Sequence, residues 1–181
     1  MQHLYWFDPG KIAGRSGPSK DPWDPFALRA AGIGAVLSVN DGALCHPDDL
    51  KRAGLTYRCV PLSPNAPPQD GDLELCVAAL PHALEYILQA ESIGVATLVH
   101  CHSGKDRTGL ALAYYAASVW RMTSHEAVAR VRQVRPIAFS APGWEEFALK
   151  VLAAVGPNHA VNTDAHRRRF APWWSPVTLV R

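Results

Sequence analysis

At 181 residues the chain suits one domain with a sizeable core. Its 48% hydrophobic and 19% charged content exclude a disordered chain. A formal net charge of +2 is too small to argue for bulk nucleic-acid binding, and no run of about 18 apolar residues suggests a membrane span.

Residues 1–8 lack a basic stretch followed by an apolar one, so no signal peptide is expected. The four cysteines, Cys45, Cys59, Cys76 and Cys101, are irregularly spaced with no C-x-x-C pair. That spacing argues against a disulfide scaffold or a structural zinc site and for reduced thiols in the cytoplasm.

In chain order, residues 4–7 read as a short aromatic strand, turned by Pro9-Gly10 into a second short strand over 11–14. Residues 15–21 are rich in Gly, Pro and Ser and read as loop. Asp21, Pro22, Asp24 and Pro25 precede a capped helix over 26–31, ended by Gly32. Residues 35–39 form a buried-type strand, broken at 40–42. Residues 47–53 read as a short helix and 55–62 as the next strand. Four prolines within 61–71 (Pro61, Pro64, Pro67 and Pro68) require an irregular loop. A long helical period follows from Asp72 to about residue 91, with Pro81 set to kink or split it. Residues 95–100 are a strand. Three helices are expected over 107–120, 124–134 and 142–155, the second with a capped start at Ser124.

This order implies a three-layer α/β fold, with a mostly parallel sheet of four to five strands flanked by helices. The domain spans 1–155. Residues 156–181 carry Arg167, Arg168, Arg169, Trp173 and Trp174. They read as a tail packed on the domain or on a neighbour; three arginines in a tail are commonly solvated.

The stretch over 99–109, Val-His-Cys-His-Ser-Gly-Lys-Asp-Arg-Thr-Gly, joins a strand end to a helix start. Such a loop directs backbone N–H groups, here those of His102, Ser103, Gly104, Lys105, Asp106 and Arg107, toward an anion at the positive end of the helix. A cysteine in that field is favoured as thiolate, the form that attacks phosphorus. Cys101 is the candidate nucleophile. Arg107 offers a planar fork for two phosphate oxygens. Thr108 is placed to donate to the Cys101 sulfur, and His100 to hold the loop. A metal site at His100-Cys101-His102 is disfavoured, because consecutive strand residues point to opposite faces. No cofactor is expected.

His100, Cys101, Arg107 and Thr108 match the His-Cys-x5-Arg-(Ser/Thr) mark, and the chain resembles the cysteine-dependent protein tyrosine and dual-specificity phosphatases. The stretch over 9–14, Pro-Gly-Lys-Ile-Ala-Gly, is similar to an N-terminal stretch of their small members, so the resemblance covers roughly residues 5 to 155. It implies a cysteinyl-phosphate intermediate hydrolysed by water. It also implies a phosphorylated protein or small phosphomonoester as substrate.

The family's usual general acid is an aspartate in a proline-containing loop. Here Pro64 occupies that position, and 61–68 contain no carboxylic acid. Asp106, within the Gly-Lys-Asp-Arg-Thr run, resembles the loop aspartate proposed as acid in atypical bacterial and phosphoinositide-active members; its alternative role is an ion pair or helix cap. Asp70 and Asp72 are the other candidates, and a good leaving group needs none. Lys105 either adds charge for a multiply phosphorylated substrate or is solvated.

Cys59 is read as a small residue on a core strand rather than a disulfide partner of Cys101. Arg132 and Arg135 are read as solvated, and Trp144 and Glu145 as contributors to positioning the attacking water. Three function classes remain open. A dual-specificity or tyrosine protein phosphatase leads, with a phosphoinositide or other small-molecule phosphatase as its variant. A pseudophosphatase that binds without turnover is the second class. A sulfurtransferase is third, since it does not need the Arg-Thr pair.

Overall fold

The computed structural model describes residues 3–156. β1 (Tyr5–Asp8) and β2 (Ile12–Ser16) pair antiparallel about Gly10, which holds the positive φ that their turn requires. β2 then lies parallel to β5 (Ala96–Cys101), β5 to β3 (Ile33–Ser38) and β3 to β4 (Thr56–Cys59). The sheet order is β1-β2-β5-β3-β4. β3 and β5 are buried at every position, as central parallel strands covered on both faces must be.

α1 (Pro25–Ala30) and α2 (Pro47–Arg52) cover one face. α3 (Asp72–Ser92), α4 (Asp106–Val119), α5 (Ser124–Val134) and α6 (Trp144–Val155) cover the other. The strand period of two divides the core accordingly. Val36 and Leu98 pack with Leu28 and Leu50, while their neighbours Leu37 and Val99 pack with Leu80, Leu110 and Val151. The α/β three-layer expectation therefore holds, with five strands.

Several boundaries differ, each for a physical reason. β2 continues through Arg15 and Ser16, read from sequence as loop, because they pair with His100 and Cys101 of β5. β4 stops at Cys59, ahead of Pro61, which has no N–H to donate. Val60 and Leu62 still donate to the carbonyls of Ser38 and Val39 at 2.8 and 2.9 Å. Pro81 does not split the long helix: α3 is continuous, held by Leu80, Ala83, Leu84 and Ile87 in the core. α4 begins one residue earlier than expected, at Asp106. α6 begins at Trp144 rather than 142, after Gly143 at positive φ. A 3-10 turn over Gly42–Leu44 had no counterpart in the sequence reading. No described helix is long and apolar enough to cross a membrane. The tail with Arg167, Arg168, Arg169, Trp173 and Trp174 lies outside the described residues.

The cap of α5 is Thr123, not Ser124. Thr123 Oγ1 accepts the Glu126 N–H at 3.3 Å, and the Glu126 carboxylate accepts the Thr123 N–H at 2.8 Å. This reciprocal box satisfies two donors that the helix end leaves unpaired. Thr123→Ala is expected to cost about 1 kcal/mol, read in thermal unfolding as a fall of roughly 3 °C in Tm.

Candidate active site

β5 delivers two adjacent residues to two different layers. His100 is fully buried on the α1/α2 face, where its Nε2 lies 2.6 Å from Ser38 Oγ and 3.1 Å from Cys45 Sγ. Its ring meets Trp23 edge-on at 4.8 Å. Burial pushes the imidazole down to about 4, against the pull of the Cys101 backbone and the Asp41 carboxylate. His100 is therefore neutral at physiological pH. Cys101 is buried in the opposite core layer, and Thr108 Oγ1 donates to its sulfur at 3.2 Å.

Between Cys101 and α4 the chain turns through Gly104 at φ +63. A Cβ there would lie 2.4 Å from the Arg15 carbonyl carbon, so only glycine fits. Three successive carbonyls of this turn are taken from outside. His102 O accepts the Gly17 N–H at 3.1 Å, Ser103 O accepts Arg135 Nη2 at 3.4 Å, and Gly104 O accepts the Tyr5 hydroxyl at 3.0 Å. Because a trans peptide sets the C=O and the following N–H in opposite directions, the N–H groups of Ser103, Gly104 and Lys105 turn the other way, into the loop. The unpaired N–H groups of the first turn of α4 follow them. Inward N–H groups of this kind are what a backbone anion site would use. Burial raises the Tyr5 hydroxyl pKa, and the Cys101 charge adds to this against Arg135. Tyr5 is therefore a protonated donor.

Arg107 is anchored by the proline loop, which the sequence reading did not anticipate. Its Nε donates to Ser63 O at 2.6 Å, and its Nη2 donates to Pro64 O at 2.7 Å and Asn65 O at 3.0 Å. Its guanidinium carbon lies 4.9 Å from the Trp144 ring centroid. The proline loop therefore sits against the nucleophile loop through backbone carbonyls, with Nη1 the terminal nitrogen that has no partner among the described residues.

The candidate acids occupy distinct places. The Asp106 side chain is 4% exposed; it accepts the Ala141 N–H at 3.3 Å and lies 3.6 Å from Lys105 Nζ. Lys105 also donates to Ser140 Oγ at 3.0 Å, so of its two readings the freely solvated one gives way to a half-buried, paired side chain. Asp72 accepts the Gln69 N–H at 2.7 Å and Asn65 Nδ2 at 3.0 Å. Burial acts to raise its pKa, but the hydrogen bonds from Gln69, Asn65 and Ser63 and the charge of Arg107 outweigh it, holding the carboxyl below its ordinary range. Asp72 organises the proline loop. Asp70 is exposed in the turn before α3.

The side chains of His102 and Ser103 face the rim, toward Asp41 at 3.3 Å and Lys20 Nζ at 3.4 Å. Arg135, read from sequence as solvated, is half-buried on the Tyr5 ring. Arg132 forms a two-pronged bond to Glu145 at 2.6 and 2.8 Å, and Trp144 is fully buried. Cys59 is exposed rather than a core residue. It pairs in register with Ser38, itself in register with His100, so it shares the His100 face. It also lies two strand spacings, roughly 9.6 Å, from β5. A bond to Cys101, whose Cα would need to be within about 7 Å, is therefore not accessible. Tyr5, Gly17, Asn65 and Ser38 escaped the sequence reading, because no local pattern marks a residue that serves a loop far along the chain.

The sequence matches the family described as "PTP-SAK: Swiss Army Knife protein, DSP-PTPase phosphatase domain" over residues 1–147. It is 34% identical over 143 residues to dual specificity protein phosphatase 12 of Rattus norvegicus, covering 78% of this chain and 39% of that protein. The Mus musculus counterpart is 35% identical over 135 residues, covering 74% and 37%. The chain thus spans under two fifths to about two fifths of the length of these relatives. Among solved structures, DUSP15 superposes with a TM-score of 0.70 at 17% identity, covering 94% of this chain and 98% of that one. The active form of Tk-PTP gives 0.68 at 20% identity, covering 85% and 96%. With the family match, the fold and the Cys101 loop in agreement, this chain belongs to the dual-specificity and tyrosine phosphatase (DSP-PTPase) family.

Proposed function

We propose that the protein hydrolyses phosphomonoesters through a cysteinyl-phosphate intermediate, with phosphorylated protein side chains as its leading substrates. The observation that carries this reading is the Cys101 sulfur, hydrogen-bonded by Thr108, at the base of a loop in which the carbonyls of His102, Ser103 and Gly104 are bonded from outside. An unbonded loop would have no reason to keep its N–H groups convergent. In the first step Cys101 Sγ attacks phosphorus, the ester P–O bond breaks, and the leaving oxygen takes a proton. In the second, water attacks the phosphocysteine, giving its proton to the carboxylate that donated one in the first step, and the sulfur departs as thiolate, with its developing charge stabilised by Thr108. Arg107 and the inward N–H groups hold the equatorial oxygens, where charge gathers in a loose transition state. Four free cysteines among the described residues fit a reducing compartment such as the cytoplasm.

Asp106 is the acid in this reading. Asp72 is held as a fully hydrogen-bonded carboxylate, a poor proton donor, and Asp70 lies exposed in a turn. Asp106 alone of the three belongs to the nucleophile loop's own helix.

A phosphoinositide or other small phosphate is the second reading. Lys20 and Lys105 rim the loop through Ser103 and Ser140, which suits a substrate with further anionic groups. A structural neighbour, PTPMT1, is known in complex with PI(5)P. Its identity is 15%, so that likeness speaks to fold.

Cys101→Ser is expected to abolish hydrolysis of a generic aryl phosphate and leave phosphate binding in place; equal turnover by wild type and variant would defeat the enzyme reading in favour of a binding module. Asp106→Asn is expected to lower kcat on an alkyl phosphate about a hundredfold and on an activated aryl phosphate far less. Equal losses on both would remove Asp106 as the acid. A preference for phosphoinositide over phosphopeptide in kcat/KM would move the second reading to first.

A further inference from the structure

Trp144 opens α6, directly after the segment whose Ser140 and Ala141 bond Lys105 and Asp106. It is the largest fully buried side chain of the described core. Its ring face lies under the Arg107 guanidinium, 4.9 Å from centroid to guanidinium carbon. Its indole Nε1 donates to Asn65 O at 3.2 Å, the same carbonyl that accepts Arg107 Nη2 at 3.0 Å. One side chain therefore touches both the cation and one of the carbonyls that orient it. The far side of the Asn65 residue is fixed as well, since Asn65 Nδ2 donates to Asp72. A guanidinium on a flexible stem loses rotamer freedom whenever it binds. A planar aromatic face restricts it to sliding in one plane, and an indole N–H keeps the shared acceptor in that plane.

We propose that Trp144 is a positioning residue for Arg107. It fixes the plane of the guanidinium and couples it to the proline loop, so that Nη1, the nitrogen without a partner among the described residues, is held in a fixed plane for a phosphate oxygen. The inference rests on the phosphatase reading. It differs from a water-positioning role for Trp144, because the ring acts through Arg107.

The contribution should appear in oxyanion binding and leave the nucleophile alone. Trp144→Leu removes both the face and the N–H; Trp144→Phe keeps a face and removes the N–H. Two quantities are measured on the full chain: the competitive inhibition constant of inorganic phosphate against an aryl phosphate, and the rate of Cys101 alkylation by uncharged iodoacetamide. For Trp144→Leu the inhibition constant and KM are expected to rise about tenfold, and for Trp144→Phe about threefold, as fits a partly desolvated cation–π contact. The alkylation rate should stay within about twofold of wild type, since the variants keep Arg107 and its charge beside the thiol and a neutral reagent needs no oriented guanidinium. A general loosening of the core would shift alkylation in parallel, and that parallel shift overturns the proposal. So does an unchanged inhibition constant in Trp144→Leu or, if that variant does not fold, in Trp144→Phe. Wild type that neither turns over the aryl phosphate nor is inhibited by phosphate would defeat the phosphatase reading itself; wild type that does both beside unaffected variants defeats only the role of Trp144.

Discussion

A loop that is to hold an anion with its backbone must first dispose of its own carbonyls. Each peptide unit that turns an N–H inward turns a C=O outward, and a buried carbonyl without a donor costs about 1–3 kcal/mol. Here the donors come from three places: the Gly17 N–H after β2, the Arg135 guanidinium at the end of α5, and the Tyr5 hydroxyl on β1. The antiparallel β1–β2 pair and the packing of α5 thus serve the loop directly. The close approach of Gly104 to the Arg15 backbone is the steric side of the same arrangement.

The second set of carbonyls is recruited rather than turned away. Ser63, Pro64 and Asn65 aim their oxygens at Arg107, and Asp72 holds Asn65 in that pose from the start of α3. In place of an acidic side chain, the proline loop therefore presents backbone oxygens to the arginine. This gives a physical meaning to proline at position 64: the segment acts through main-chain acceptors, which do not depend on the side chain there. The positive charge of Arg107 is thereby shared between the loop and whatever anion enters.

The alternation of β5 ties these two systems to the core. His100 belongs to the polar group with Ser38 and Cys45 behind the sheet, and Cys101 to the apolar layer under α3 and α4. Neutral, buried His100 sets the strand end from one side while Thr108 meets the sulfur from the other.

What could be read from the chain alone was whatever lay contiguous in it. The strand-loop-helix over 99–109, the Thr108 contact to Cys101, the opposite facing of His100 and Cys101, the α/β class with four to five strands and the absence of an acid from 61–68 are local facts of residue type and period. The partners could not be read. Tyr5 and Gly104 are 99 positions apart, and Arg107 and Ser63 are 44 apart, and neither Arg135 nor Trp144 carries a pattern that separates a solvated or core residue from one that serves a distant loop. Strand extension through Ser16 and the continuity of α3 past Pro81 were likewise decided by pairing and burial over local propensity. The sequence by itself determined which atoms carry the candidate chemistry, because those residues are neighbours along the backbone. Only the tertiary structure decided how they are oriented, because, Thr108 and Lys105 apart, the donors and acceptors that aim them come from distant parts of the chain.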